Sequence, residues 1–380
     1  MPNAKAPELR VFSVEDTTVQ VTWSRLPPGE LALRIEDNFV ATSTDGGAGA
    51  LTLTGLEPDR RYQLRAVGSG LPKDGQLLRV RTLAPPPGAE LARLATVSDM
   101  HIGVCSFDVA QRMVERLGPG EEAHPIRCTR AAIDELLAWG AERLVVKGDL
   151  TDRAAARQWA AVGKLFAALP IPVHAIAGNH DLKPQPDSLP LAEGSALAGF
   201  RVSDEVEAID LPGLRIVLAP TVIPGHSRGH LTASTIDAVA DLASDAGTPC
   251  MLIIHHELQR LPVNWFWPPG IPSGQAAALF RALGAANPRT FITSGHTHRH
   301  RRRHVGPLVM TEVGSPKDYP GTWAGYVVHE GGIRQVVRRV EAPDCIAWTE
   351  YTRAAALGAW GHWSPGKLSA RCFSHTWPPT

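Results

Sequence analysis

The 380-residue sequence predicts a multidomain protein: an all-β sandwich at the N-terminus, followed by an α/β domain. Three observations predict it. Residues 8–82 hold short extended segments with alternating apolar residues and no helical stretch. The Pro-rich segment APPPGAE, residues 84–90, ends that pattern. Beyond it, apolar strands alternate with segments of helical period, the pattern of an α/β fold with a buried sheet.

In the first part, ELRVFSV, TVQVTWS, LALRIE, ALTLTG, YQLRAV and QLLRVRT each read as a strand. Trp23 stands in the second, where its ring fills the space between two sheets. GLEPDRRYQLRA, residues 55–66, places a Leu, a Pro and a Tyr in the pattern of a tyrosine corner. Residues 1–83 therefore resemble a fibronectin type III domain, and 84–90 is the linker.

In the second part, ARLATVSD is a strand and CTRAAIDELLAWG, 128–140, a helix stopped by Gly140. AERLVVKGD is the next strand, 154–169 the next helix, and IPVHAIAGNHD a third strand. LRIVLAP (214–220), PCMLIIHH (249–256) and RTFITSGHTH (289–298) are later strands. Polar residues follow these strands at once: Asp99-Met-His101, Gly148-Asp149-Leu-Thr-Asp152, Gly178-Asn179-His180-Asp181, His255-His256 and Gly295-His296-Thr-His298. Ligands of α/β sheets bind beyond the carboxyl ends of the strands, so these groups are expected on one rim. Asp99 and His101, two apart, would leave one face of an extended chain. The glycines at 148, 178 and 295 would turn the chain as each strand ends. Carboxylates, an amide oxygen and imidazoles without a thiolate suit Mn, Fe or Zn. Alone, each motif has a bland reading: GDLTD as a helix N-cap, GNHD as a turn. The order of the five motifs is what carries the signal.

That order, DxH, GDxxD, GNHD, H and GHTH, resembles the calcineurin-like metallophosphoesterase family over residues 91–340. The resemblance implies two β-sheets flanked by helices. It implies two divalent or trivalent metal ions (Mn, Fe or Zn). Asp99, His101 and His298 would hold the first; Asn179, His296 and His255 or His256 would hold the second. Asp149 would bridge them. His255 is favoured over His256 because it directly ends the strand, and an extended chain cannot turn both rings to one side. His180 would act on the substrate as catalytic acid with Asp152 orienting it, and Arg153 and His256 are assigned to substrate binding. A hydroxide bridging the metals would attack phosphorus in line. The pattern is similar to bacterial cyclic-nucleotide and glycerophosphodiester phosphodiesterases. It departs from purple acid phosphatases, which carry a glycine where His101 stands and a metal-bound tyrosine where Asp152 stands. A small phosphate ester is the expected substrate, a phosphodiester first and cyclic AMP the first example. A phosphomonoesterase is the alternative, and a non-catalytic binding module on the same fold the third reading.

Lys+Arg and Asp+Glu balance at 38 each, which argues against nucleic acid and anionic membrane as partners. MPNAKAPELR lacks the apolar core of a signal peptide, and five scattered cysteines form no CxxC; a cytoplasmic protein is expected. Four further features have no assigned role. RHRRRH (299–304) would attract an anion or form a solvated turn. His226 and His230 lie in a Gly-rich loop. Trp265, Phe266 and Trp267 would cap the site or pack elsewhere. The aromatic tail, 341–380, would pack on the protein or swap into a homo-oligomer.

Overall fold

The computed structural model describes residues 7–108, 112–244, 247–262 and 267–379. The first seven strands are β1 (Glu8–Val14), β2 (Val19–Leu26), β3 (Gly29–Ile35), β4 (Asn38–Thr44), β5 (Gly47–Leu53), β6 (Arg61–Gly68) and β7 (Gln76–Arg81). They form two antiparallel sheets, ordered β1-β2-β5 and β4-β3-β6-β7. Alternation explains why: on β6, Tyr62, Leu64 and Ala66 are buried while Arg61, Gln63 and Arg65 are exposed. Trp23 is buried in the core shared by the two sheets, packed against Gly49, where a Cβ would overlap its ring.

Then follow β8 (Glu90–Val97), the short ribbon β9 (Ser106–Phe107) and β10 (Met113–Val114), α1 (His124–Ala138), β11 (Arg143–Lys147), α2 (Ala156–Phe166), β12 (Val173–Ile176), α3 (Leu191–Ala198) and β13 (Val202–Ser203). Next come β14 (Glu207–Leu211), β15 (Leu214–Leu218), α4 (Ala233–Ala243), β16 (Cys250–Ile253), α5 (Ser273–Ala286), β17 (Thr290–Ser294), β18 (Arg301–Val305) and β19 (Leu308–Glu312). The chain closes with β20 (Thr322–His329), β21 (Gly332–Arg339), α6 (Pro343–Thr352), α7 (Ala359–Trp363), α8 (Leu368–Arg371) and β22 (Phe373–Thr376).

These strands build two mixed sheets, β13-β12-β11-β8-β20-β21-β22 and β14-β15-β16-β17-β19-β18. They face each other. On β8, Ala92 and Leu94 point into the core between the sheets, with Ile216, Met251 and Tyr326; Ala95 and Val97 point to the outer core under α1 and α2. Helices α4 and α5 cover the outer face of the second sheet. Both faces of the central strands are thus buried, which is why β11 and β16 read as continuous apolar runs.

One detail differs from the sequence expectation. Helix α1 begins at His124, four residues before the expected start, because Pro125 occupies its first turn after the extended Ala123. Residues 341–379 pack on the rest of the protein: β22 pairs with β21 from Gly332↔Thr376 to Gln335↔Phe373, and Trp348 is buried in the outer core.

Candidate active site

The expected residues follow the carboxyl ends of β8, β11 and β12 in one sheet and of β16 and β17 in the other. The chain is not extended where Asp99 and His101 stand. Strand β8 stops at Val97, and these residues take φ of 58° and 47°. Asp149 (53°), His296 (65°) and His298 (51°) share that left-handed conformation. Each costs a non-glycine residue about 1 kcal/mol or more, and it persists only where the surroundings enforce it. Here neighbouring backbone does so: the Asp99 N–H donates to the Gly148 carbonyl (3.0 Å), His101 N–H to the Asp149 carbonyl (2.9 Å) and Ile102 N–H to the Leu150 carbonyl (2.9 Å). Side-chain alternation along a strand is thus not what brings Asp99 and His101 together.

The glycines also act differently from expectation. Gly148 does turn the chain, at φ 93°. Gly178 and Gly295 are needed for space instead. A Cβ on Gly178 would overlap the Asp149 carboxylate, and one on Gly295 would overlap Ser98 and Asp99.

Four groups of side chains have candidate donor atoms within 4.8 Å of one another: Asp99, His101 and His298; His255, His256 and His296; Asp99, Asp149 and His255; and His101, Asp152 and His180. Asp149 stands between the first two. Its Oδ2 lies 3.4 Å from His101 Nε2 and 3.5 Å from His255 Nε2. Its Oδ1 accepts the His180 N–H at 2.8 Å. Asn179 Oδ1 lies 3.3 Å from His255 Nε2, and the Nε2 atoms of His101 and His298 are 3.3 Å apart.

Outer contacts orient the imidazoles. His255 Nδ1 donates to the Lys147 carbonyl at 2.7 Å, leaving Nε2 for the cluster. His298 Nδ1 is 2.6 Å from Asp318 Oδ2, which also accepts from Lys317 Nζ at 3.1 Å. Asp318 and Lys317 went unrecognised in the sequence, since SPKDYP matches no motif and follows no apolar strand directly. His255 and His256 both turn to the cluster, contrary to the expectation for an extended chain. Strand β16 ends at Ile253 and the chain bends at 255–256. His256 Nδ1 is 2.8 Å from Thr221 Oγ1, while its buried Nε2 has no hydrogen-bond partner among the described residues.

The electrostatics match the donor set. Burial, reinforced by neighbouring histidines, holds His101, His256 and His296 well below the usual imidazole range. They are neutral, with a lone pair to offer. Burial alone would raise Asp149, but His255, His180 and His101 around it hold it well below the usual carboxylate range. His255 goes the other way: Asp149 and Asp99 outweigh burial and bring it to about 9. Neutral imidazoles, carboxylates, one amide oxygen and the His256 Nε2, which has no hydrogen-bond partner among the described residues, fit a metal pair, which would displace the proton that the carboxylates hold on His255.

A cavity of about 310 Å³ opens over these groups. His101, Asp149, Asp152, Asn179, His180, His296 and His298 line it. His180 Nδ1 is held 2.8 Å from the Asp152 carbonyl oxygen and 3.4 Å from the Asp152 carboxylate. Asp149 and Asp152 raise its pKa despite burial. Arg153 is not among the lining residues, nor is His256, which lies beneath them. Lys317, 4% exposed, is the only lysine or arginine among the described residues that line the cavity. RHRRRH contributes edge strand β18 rather than a solvated turn. His226 and His230 are exposed, although Ser227 between them reaches the cavity. Trp267 lines it too; Trp265 and Phe266 lie outside the described residues.

Asp181 ties two motif loops together. Its buried carboxylate accepts the N–H groups of Leu150 (3.1 Å), Thr151 (2.8 Å) and Gly178 (2.9 Å), and the Thr151 hydroxyl (2.9 Å). Burial and the Asp149 charge nevertheless raise it to about 6.

The profile described as calcineurin-like phosphoesterase matches residues 92–300, more than half of the chain. The chain is similar to a 3',5'-cyclic adenosine monophosphate phosphodiesterase of Pseudomonas aeruginosa, 27% identical over 43% of this chain and 57% of that one. It is similar to a cAMP/cGMP dual specificity phosphodiesterase of Mycobacterium tuberculosis, 32% identical over 41% of this chain and 48% of that one. The chain thus spans about half the length of the curated relatives it matches. Among solved structures it is similar to a purple acid phosphatase from yellow lupin seeds, with a TM-score of 0.45 and 14% identity, over 89% of this chain and 72% of that one. By the profile match over residues 92–300, the chain belongs to the calcineurin-like phosphoesterase family.

Proposed function

We propose that this protein is a phosphodiesterase working with two metal ions, and that its substrate is a small diester such as a 3',5'-cyclic nucleotide. The carrying observation is the Asp149 carboxylate, set 3.4 Å from His101 and 3.5 Å from His255, between two groups of metal-type donors. Asp99, His101 and His298 would hold one ion; Asn179, His255 and His296 the other; Asp149 both. Mn, Fe and Zn all suit these donors. Such a pair, when bound, supplies Lewis acidity to the phosphoryl oxygens and lowers the pKa of water.

The chain's own residues do the rest. His180 presents Nε2 to the cavity, because Nδ1 is committed to Asp152. It protonates the leaving oxygen while Asp149 and Asp152 stabilise its charged form. The cavity, at about 310 Å³, sits at the small end for ligand pockets, which favours a small ester over a protein loop. The names of the two bacterial relatives support a cyclic nucleotide.

We also read residues 1–83 as a fibronectin type III-like domain, 84–90 as its linker and 91–340 as the catalytic domain. Two facing antiparallel sheets, buried Trp23 and the Tyr62 hydroxyl, which accepts the Glu57 N–H at 2.9 Å, support that reading. The balanced charge and five free thiols support a cytoplasmic location.

The test is hydrolysis of bis(p-nitrophenyl) phosphate against p-nitrophenyl phosphate with Mn²⁺, in wild type and Asp149→Asn. Diester preference abolished by the substitution is expected. Monoester preference would make the protein a phosphomonoesterase, and inactivity with metal bound would make it a binding module.

A further inference from the structure

The family profile ends at residue 300, but the cavity does not. Lys317, Ala355, Ala356 and Trp360 form one wall, and Phe107 joins them from the β9 strand. Trp360 belongs to α7, in the C-terminal segment. Its Nε1 donates to the Tyr319 carbonyl at 3.1 Å, which fixes the ring against the body. The Trp360 and Phe107 rings lie 5.5 Å apart with their planes at 56°. Together they make an apolar corner. The corner begins beside the candidate metal centre, because the His298 ring is only 6.4 Å from the Trp360 ring. Lys317 holds Nζ 5.1 Å from the Phe107 ring centroid and brings a positive charge to this wall. The Ala356 N–H donates to Asp108 Oδ1 at 3.3 Å, so the C-terminal segment and the 106–108 loop are joined where the wall is built.

A corner of two tilted rings receives a flat ring well: one wall offers its face, the other its edge. A branched alkyl group meets the same corner with fewer contacts. We propose that Trp360 and Phe107 form a specificity subsite that selects phosphate esters bearing a planar ring. This inference rests on the phosphoesterase reading above. It assigns the C-terminal segment a direct part in substrate choice.

The test compares phenylphosphonate with methylphosphonate on the Mn²⁺-loaded full chain. Affinities are measured by calorimetry and by inhibition of bis(p-nitrophenyl) phosphate hydrolysis. Wild type is expected to bind the phenyl compound about tenfold more tightly. Trp360→Leu is expected to bring that ratio to about one to two, and Trp360→Phe to restore most of it. Phe107→Leu carries the same expectation on another element, should Trp360→Leu misfold. A wild-type ratio near one, or a ratio unchanged in both leucine variants, would overturn the subsite while leaving the hydrolase intact. A loss shared equally by both probes would show a structural role only, and would overturn it too. If the metal-loaded wild type hydrolyses no ester and binds neither phosphonate, the phosphoesterase reading fails and takes the subsite with it.

Discussion

Asp149 is the residue on which the candidate site converges. One oxygen faces His101 and His255, the other takes the His180 N–H. Replacing it with Asn removes the charge shared by both metal positions. Bound metal, measured by elemental analysis, is expected to fall together with diester hydrolysis, the rate dropping at least ~10²-fold. His180→Ala separates the two effects. It lies outside the donor groups that Asp149 joins, so metal content stays while kcat falls about 10²–10⁴-fold. Asp318→Asn tests an outer contact. Asp318 holds His298 at 2.6 Å, so metal affinity is expected to weaken about 10–100-fold, with activity recovered at high Mn²⁺. A titration of activity against metal concentration distinguishes this from a direct loss.

At the scale of elements, loops are tied to loops by buried polar groups. Asp181 joins the turn after β11 to the turn after β12 through three hydrogen bonds, and a fourth, from the Gly178 N–H, closes its own turn. Asp181→Ala leaves three buried N–H groups without that acceptor. A stability loss of about 3 kcal/mol or more is expected in denaturant unfolding, at roughly 1–3 kcal/mol for each such group. Helix α1 carries a different device. His124 at its start is fully buried, stacked 4.0 Å from the Trp348 ring of α6, with Nδ1 2.8 Å from Glu115 Oε2. Burial, with Lys317 and Arg127 near, outweighs Glu115 and depresses its pKa from 6.5 to about 4. The unfolded chain therefore takes up this proton first as pH falls. The stability involved is present above pH 6.5 and lost between about 6.5 and 4, up to about 3 kcal/mol. Urea unfolding across that range should show the loss, and His124→Gln should flatten it.

For the whole molecule, the C-terminal segment and the N-terminal β region are joined to the central sheets by specific contacts. Gln20 Nε2 donates to the Arg339 carbonyl at 2.8 Å, and the Arg339 N–H returns a bond to Gln20 Oε1 at 2.9 Å. Arg371 Nη2 donates to the Phe12 carbonyl at 2.9 Å. Val336 and Cys372 lie in the same apolar cluster as Trp23 and Tyr62. Truncation after Val340 would remove β22 from the edge of the seven-stranded sheet and Trp348 from the outer core. Loss of soluble protein, or a fall in Tm of about 10 °C or more, is expected. Among the described residues, no helix is long and apolar enough to cross a membrane.

The sequence by itself determined the layered sheets and the set of candidate metal donors. Apolar runs doubly buried in sheets and polar residues directly after them are local patterns, and local patterns are what a sequence displays. What it did not display was conformation past the strand ends. The pairing of Asp99 with His101, and of His255 with His256, follows from left-handed backbone and a bend, which distant hydrogen bonds impose. The steric need for Gly178 and Gly295 exists only once Asp149 and Ser98 are beside them. Asp318, Lys317 and Trp360 reach the site from segments without motif or regular spacing. Their place was decided by tertiary structure alone, because the sheets must first pack before residues over two hundred positions apart, such as His101 and Lys317, can share one cavity.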